Sequence, residues 1–144
     1  MIMEEQVRIG QRRTQQRKAI VDFMGKVSTP LTAEEIHYNL LKGHTNINLS
    51  TVYRNLEKME KAGLVSPVRF TIDNNTRYIL SEKSHVHHLV CRCCSRAIPL
   101  DFCPLESAMD RLDKSQFIIE GHRFEIFGMC RECFEHEEPE REKP

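Results

Sequence analysis

The stretch HVHHLVCRCC, residues 85–94, and the later tetrapeptide CREC, residues 130–133, decide how the rest of this 144-residue chain is interpreted. Each contains one Cys-x-x-Cys pair, and the four thiols are Cys91, Cys94, Cys130 and Cys133. Two residues between the cysteines let one tight turn aim both sulfurs at a single ion, and two such turns complete a tetrahedron. The four thiols therefore predict a structural zinc site, with two disulfides or unconnected thiols as the alternative.

The 35 residues that separate Cys94 from Cys130 exceed what a compact zinc ribbon carries, so another folded element is expected between the pairs. Apolar spacing predicts a helix over 104–113 and short strands over 88–91, 98–100, 117–120 and 123–127. Residues 83–134 are thus predicted to form a small α+β domain. The charged, apolar-poor tail over 135–144 is predicted to be disordered.

Upstream of the histidines, the pattern is typical of a winged helix-turn-helix. Three helices are predicted from apolar residues at helical spacing, and the residues placed to cap them are Thr14, Thr32 and Ser50, with Glu35 completing a capping box around Thr32. Alternating segments over 64–70 and 77–80, joined by Asp73-Asn74-Asn75, predict a hairpin. Residues 1–82 are therefore predicted to bind DNA, and a protein-contact module is the alternative.

In winged helices the third helix enters the major groove. Its predicted first turns offer Ser50, Thr51, Tyr53 and Arg54 to bases and phosphates. The charge distribution agrees, because residues 1–83 carry 13 Lys and Arg against 9 Asp and Glu, a net +4, whereas residues 84–144 carry 8 against 12, a net −4.

The sequence contains no membrane span or signal-peptide pattern. No apolar run approaches the roughly 18 residues that a span needs, and the start of the chain lacks a basic region followed by an apolar stretch. A cytoplasmic location is therefore expected. In that reducing compartment, six cysteines are interpreted as metal ligands or spare thiols rather than disulfides.

A winged helix containing Ser50-Thr51-Val52-Tyr53-Arg54, followed by His-x-His-His-x-x-Cys-x-x-Cys and a distant Cys-x-x-Cys, resembles the ferric uptake regulator (Fur) family of bacterial metalloregulators. The resemblance implies a homodimer held by the rear domain. It also implies that the front domains bind a palindromic DNA operator when a regulatory metal is present. Family members usually repress metal-uptake, storage or oxidative-defence genes, so the chain is expected to be a transcriptional repressor and not an enzyme.

The resemblance also assigns individual residues. It matches the four paired cysteines to a structural zinc, one per subunit, Tyr53 and Arg54 to recognition-helix contacts, and Arg12 to a minor-groove contact. It implies a second metal site for Zn²⁺, Fe²⁺ or Mn²⁺, whose ligands are His85, His87, Glu106 and His122. Strand periodicity agrees, because residues two apart share a face and His85 and His87 can point together while His88 points away.

The chain departs from the family at a further hinge site, where Ile79 and Val86 occupy positions that hold metal ligands in many relatives. His88 is therefore interpreted as a packing or hydrogen-bonded histidine. Cys93 and Cys103 are interpreted as spare thiols, with a redox or ligand role for either left open. A zinc-specific uptake regulator and a metal-independent Fur-like protein are alternatives within the family. A zinc enzyme and a thiol redox protein are the alternatives outside it.

Overall fold

A computed structural model of the protein describes residues 2–137, with side chains from residue 12 onward. The chain divides into two compact units. The first runs through Arg69 and resumes over Asn74–Ser84, and the second consists of Phe70–Asp73 and the residues from His85 onward. Within the described part of the chain, no helix combines the length and apolar character that a membrane span requires.

The first unit, in its described residues, contains three α-helices and a three-stranded antiparallel sheet. The helices are α1 (Ile2–Gly25), α2 (Ala33–Lys42) and α3 (Leu49–Lys61), and the strands are β1 (Leu31–Thr32), β2 (Val65–Arg69) and β3 (Thr76–Leu80), in the order β1-β3-β2. β2 and β3 pair from Val65 opposite Leu80 to Arg69 opposite Thr76. This arrangement confirms the predicted winged helix-turn-helix.

The core of the first unit fixes α3 against the other two helices. Its largest fully buried side chains are Ile20, Met24, Ile36, Val52, Leu56 and Met59. Burial of each contributes roughly 1.5–3 kcal/mol. Lys83 adds a polar contact, because its Nζ donates to the carbonyls of Gly25 at 2.7 Å and Val27 at 3.0 Å, which lie at and just beyond the end of α1. Packing of its inner face therefore holds α3 in place, and its outer face remains exposed.

Two of the three predicted helix starts differ from the structure. The capping box at α2 is confirmed, with Glu35 N donating to Thr32 Oγ1 and Thr32 N donating to a Glu35 carboxylate oxygen. Thr14, however, lies inside α1, which begins at Ile2. Residues 2–13 contain no proline that would break the helix before Thr14. The N-cap of α3 is Asn48, in an extended conformation, and Ser50 lies in the first turn.

The described part of the second unit is a small α+β arrangement. Its strands are β4 (His88–Cys91), β5 (Ala97–Pro99) and β6 (Glu125–Gly128), in the order β5-β4-β6, and its helices are α4 (Glu106–Met109) and α5 (Arg131–Glu137). β4 pairs antiparallel with β5 and parallel with β6. The parallel pairing joins stretches of chain more than 30 residues apart.

Three predictions for this unit were wrong in extent. The helix expected over 104–113 is reduced to the four residues of α4, and residues 117–120 form no strand. Most helical stability in proteins comes from packing an apolar face, yet Leu112 is half exposed. The tail was expected to be disordered from residue 135, but residues 135–137 belong to α5, and the remainder lies outside the described residues.

Candidate metal centres and DNA-binding surface

The parallel pairing of β4 with β6 brings the two cysteine pairs together. Cys91 is the last residue of β4 and lies opposite Gly128 of β6. The chain then turns tightly, with Ser95 N donating to the Cys91 carbonyl at 2.9 Å and Ser95 at a positive φ of 60°. This turn presents Cys94, and the start of α5 presents Cys130 and Cys133.

The four sulfurs have the spacing that a tetrahedral zinc requires. All lie within 4.8 Å of one another, and Cys94 Sγ is 3.9 Å from Cys130 Sγ. Zn–S bonds of about 2.3 Å place the corners of a tetrahedron about 3.8 Å apart. The donor set and its geometry therefore fit zinc, and no further position is needed for a water or substrate.

Backbone amides prepare one of these thiols for deprotonation. Hydrogen bonds from the amides of Cys94 and Cys130 lower the pKa of Cys91 to about 6. The second of these bonds spans 3.3 Å from Cys130 N to Cys91 Sγ. The neighbouring thiols of Cys130 and Cys93 instead raise the pKa of Cys133. A cation at the centre of the four sulfurs would favour the thiolate form of Cys133, because metal ligands bind in the deprotonated form.

A second cluster lies in the same unit and is rich in nitrogen. Its members are His85, His87, His122 and Cys103, whose ligand atoms all lie within 4.8 Å of one another. His122 Nε2 is at the centre of the contacts, 3.0 Å from His87 Nε2 and 3.4 Å from His85 Nε2. Cys103 Sγ also lies 3.4 Å from His122 Nε2. Three imidazoles and a thiol at this spacing form a candidate metal centre.

His87 is held in the form that binds metal. Its Nδ1 donates to the carbonyl of Phe124 at 3.3 Å, which leaves the lone pair on Nε2 facing the cluster. Burial is the main cause that lowers the pKa of His87, so the ring stays neutral more readily than an exposed imidazole. The neutral ring is the form that coordinates a cation.

The structure brings together three of the four residues predicted for this site. Glu106 is exposed at the first position of α4, and among the described residues its carboxylate is not one of the converging ligand atoms. Cys103, three residues earlier, lies there instead. The one sequence feature that pointed to Cys103 was its position three residues before Glu106, the expected ligand. His88 does not join the cluster, and its ring packs against Phe70 with the centroids 5.9 Å apart.

The outer face of α3 carries the predicted DNA-contacting residues. Ser50, Tyr53 and Arg54 are exposed, and Thr51 is half buried. Arg54 lies along the helix, donating to the Ser50 carbonyl at 3.4 Å and to Thr51 Oγ1 at 3.3 Å. Its guanidinium is therefore held near the first turns of α3.

Tyr53 is connected to α2 by a hydrogen bond. Its hydroxyl donates to the carboxylate of Glu34. This bond is the main cause that raises the pKa of Tyr53 and lowers the pKa of Glu34. A phosphate or base that takes the Tyr53 hydroxyl must therefore compete with a carboxylate.

A groove of about 280 Å³ separates the basic part of α1 from the start of α3. It is lined by Arg12, Arg13, Gln16, Asn46, Ile47, Asn48 and Thr51. Arg12 was predicted to contact DNA. Gln16 was not predicted, although it lies four residues after Arg12 and three after Arg13 on one helix, a spacing that places its side chain next to both arginines. Two arginines beside the start of a helix favour an anion such as phosphate.

Comparison with known proteins identifies the family. A family model described as the ferric uptake regulator family matches residues 8–127. The chain belongs to this family. Its curated relatives include the peroxide-responsive repressor PerR of Staphylococcus aureus, 31% identical over 126 residues that cover 86% of this chain and 83% of the relative.

Solved structures of Fur proteins share the fold. The ferric uptake regulator Fur of Helicobacter pylori, in which three functional metal-binding sites were found, aligns with a TM-score of 0.69 and 26% identity over 90% of each chain. FurB of M. tuberculosis, a zinc uptake regulator, aligns with a TM-score of 0.51 and 35% identity over 86% of this chain and 96% of FurB. Fur proteins are dimeric, metal-responsive transcriptional regulators that bind DNA. The present chain is thus a regulator of this kind and not an enzyme.

Proposed function

We propose that this chain is a cytoplasmic repressor that binds a palindromic operator as a homodimer when the second metal centre is loaded. The observation that carries the proposal is the convergence of the nitrogens of His85, His87 and His122. A groove lined by Arg12 and Arg13 beside the start of α3 supports it. Residues 1–82 supply DNA binding. Residues 83–134 supply the dimer contacts and both metal centres.

The two centres have different roles in this proposal. The four-cysteine centre holds one zinc per subunit permanently, because four thiolates leave no open position and draw together β4, β6 and α5. The second centre holds an exchangeable divalent ion. Its histidines reach it from separate stretches of the chain, so an ion bound by all three ties residues 85–87 to His122.

Residues 85–87 follow directly on Ser84, the last residue of the first unit. Holding His85 and His87 therefore restricts the connection between the DNA-binding unit and the metal-binding unit. A metal that binds the DNA-competent arrangement more tightly shifts the population toward it, and tenfold tighter operator binding requires only about 1.4 kcal/mol of coupling.

On the DNA, Arg12, Arg13 and Gln16 are assigned to the phosphate backbone. They line one side of the groove whose other side is the start of α3. The outer face of α3 is assigned to base edges and phosphates in the major groove, through the exposed side chains of Ser50, Tyr53 and Arg54. Thr51, which is half buried, is assigned to the same contact. The basic surplus of the first half of the sequence supports this assignment.

His87→Ala tests the proposal against the matched control His136→Ala, in which an exposed histidine of α5 is removed. Each variant, retaining the zinc of its four-cysteine centre, is titrated with Zn²⁺, Fe²⁺ or Mn²⁺ at buffered free concentrations. Binding is measured by fluorescence anisotropy on a duplex selected from random sequence by the wild-type protein.

The wild type and the control are expected to bind this duplex at least tenfold more tightly with metal, while His87→Ala binds equally weakly with and without it. Unchanged metal dependence in His87→Ala would remove this centre from the regulatory mechanism.

A further inference from the structure

We propose that Cys103 Sγ is the fourth ligand of the second metal centre, which makes it a closed site of three histidines and one cysteine that selects zinc. The inference rests on the proposed function, since it names the ion and completes the ligand set of the same centre. It assigns a role to a thiol whose part in metal binding the sequence alone left open.

The spacing of the four ligand atoms supports this assignment. Zn–N bonds of about 2.05 Å and a Zn–S bond of about 2.3 Å place nitrogens about 3.3 Å from one another and about 3.6 Å from the sulfur. From His122 Nε2, the observed separations are 3.4 Å to His85 Nε2, 3.0 Å to His87 Nε2 and 3.4 Å to Cys103 Sγ. Each of these three separations is within about 0.3 Å of the tetrahedral value, and all four ligand atoms lie within 4.8 Å of one another.

The local backbone explains why the thiol and not the carboxylate faces the histidines. Glu106 N donates to the Cys103 carbonyl at 3.2 Å, and this turn leads into α4. Cys103 is half buried beside His122, whereas Glu106 is exposed. A carboxylate ligand would require Glu106 to leave its present position. Cys103 is already within contact distance.

A thiolate changes which ion the centre prefers. Three imidazoles with a carboxylate and waters suit Fe²⁺ or Mn²⁺ as well as zinc, but a soft thiolate in four-coordination favours Zn²⁺ strongly over Mn²⁺. On binding, the S–H bond of Cys103 breaks, its proton passes to solvent and a sulfur–zinc bond forms. The centre therefore responds to zinc with no position left open for water.

Cobalt(II) reports directly on the sulfur, because a thiolate bound to Co²⁺ gives a charge-transfer band in the near ultraviolet that imidazole and carboxylate do not give. The full-length dimer, checked by elemental analysis to retain one zinc per chain, is titrated with Co²⁺. Three proteins are compared: the wild type, Cys103→Ser and Glu106→Gln. Zinc affinity of the second centre is measured in parallel by competition with a chelator.

The wild type and Glu106→Gln are expected to show the band, and Cys103→Ser to lose it. The zinc affinity of Cys103→Ser should fall at least about tenfold and its preference for Zn²⁺ over Mn²⁺ should shrink, with Glu106→Gln unchanged in both. A band that persists in Cys103→Ser would overturn the assignment, as would an affinity loss confined to Glu106→Gln.

The titration separates this inference from the proposed function. If the wild type takes up cobalt at a centre that His87→Ala abolishes, but shows no charge-transfer band, then only the role of Cys103 fails. If the wild type takes up no second metal at all, then the proposed regulatory centre fails with it.

Discussion

A hydrogen bond from a distant backbone group orients one side chain in each candidate metal centre. The amide of Cys130 donates to Cys91 Sγ, and the carbonyl of Phe124 accepts from His87 Nδ1. Both partners lie more than 30 residues along the chain, on or next to the segment that pairs with β4. Such contacts fix the donor atom before metal arrives, which reduces the reorganisation that binding requires.

Cys91→Ser is expected to abolish zinc binding at the four-cysteine centre and to unfold the second unit. Structural zinc contributes an apparent free energy of roughly 10–16 kcal/mol to the folding of small domains, which is comparable with the whole stability of a domain. Elemental analysis should find no zinc at this centre. Proton–nitrogen NMR spectra should lose the dispersed resonances of residues 85–137 while keeping those of the first unit.

Cys93→Ser is the matched control. Cys93 lies between Cys91 and Cys94 in the sequence, but it is exposed and does not belong to the group of four converging thiols. It should retain its zinc and its dispersed spectrum. A zinc-free Cys91→Ser protein with an unchanged spectrum would contradict a structural role for this centre.

Tyr53→Phe is expected to raise the pKa of Glu34, because the Tyr53 hydroxyl is the main cause that holds this pKa low. In the wild type, a depressed folded-state pKa means that the bond stabilises the fold above the unfolded-state pKa and that this contribution is lost as the pH falls through the folded-state value. NMR titration of the Glu34 side-chain carboxyl carbon measures the change. Tyr38→Phe is the control, because Tyr38 lies on α2 with Glu34 and is 62% exposed. It should leave the pKa of Glu34 unaltered, and an equal shift in both variants would refute the assignment.

At the scale of single elements, the start of α2 depends on one side chain. Thr32 Oγ1 accepts from Glu35 N at 3.2 Å and Thr32 N donates to Glu35 Oε2 at 2.8 Å. Thr32→Ala should therefore lower the free energy of unfolding of the first unit by about 1 kcal/mol, since it removes a side-chain cap. Urea denaturation followed by circular dichroism measures this loss.

Thr32→Ser provides the control, because serine keeps the capping oxygen. It should restore most of the stability that alanine loses. Equal losses in both variants would show that the threonine methyl group, and not the cap, supplies the stabilisation.

The elements that sequence predicted well are those with local signals. α2 was predicted from its capping box, and the β2–β3 hairpin from alternation around an Asp-Asn-Asn turn. The extent of α4 and the missing strand over 117–120 could not be predicted, because they depend on what covers their apolar side chains. The position of Cys103, rather than Glu106, beside the three histidines likewise depends on a turn that spacing does not reveal.

At the scale of the whole molecule, the second unit exposes apolar side chains that a stable monomer would cover. Phe117 is 71% exposed, Ile118 88% and Phe127 61%. Several large apolar residues exposed in so small a unit are characteristic of an interaction surface. Because Fur proteins are dimers, the same surface on a second copy is the expected cover.

Ile118→Asp should therefore weaken the dimer without unfolding the chain. Because Ile118 is almost fully exposed in one subunit, the substitution removes little packing there, and exposed substitutions usually change stability by no more than about 0.5 kcal/mol. At an interface, the buried charge should raise the dimer dissociation constant by about tenfold or more, since an unpaired charge costs several kcal/mol to desolvate. Sedimentation velocity over a range of concentrations measures this constant, with Leu64→Asp, 52% exposed in the first unit, as the control. For Ile118→Asp, operator affinity should fall as the fraction of dimer falls. An unchanged dimer dissociation constant would show that this surface lies outside the interface.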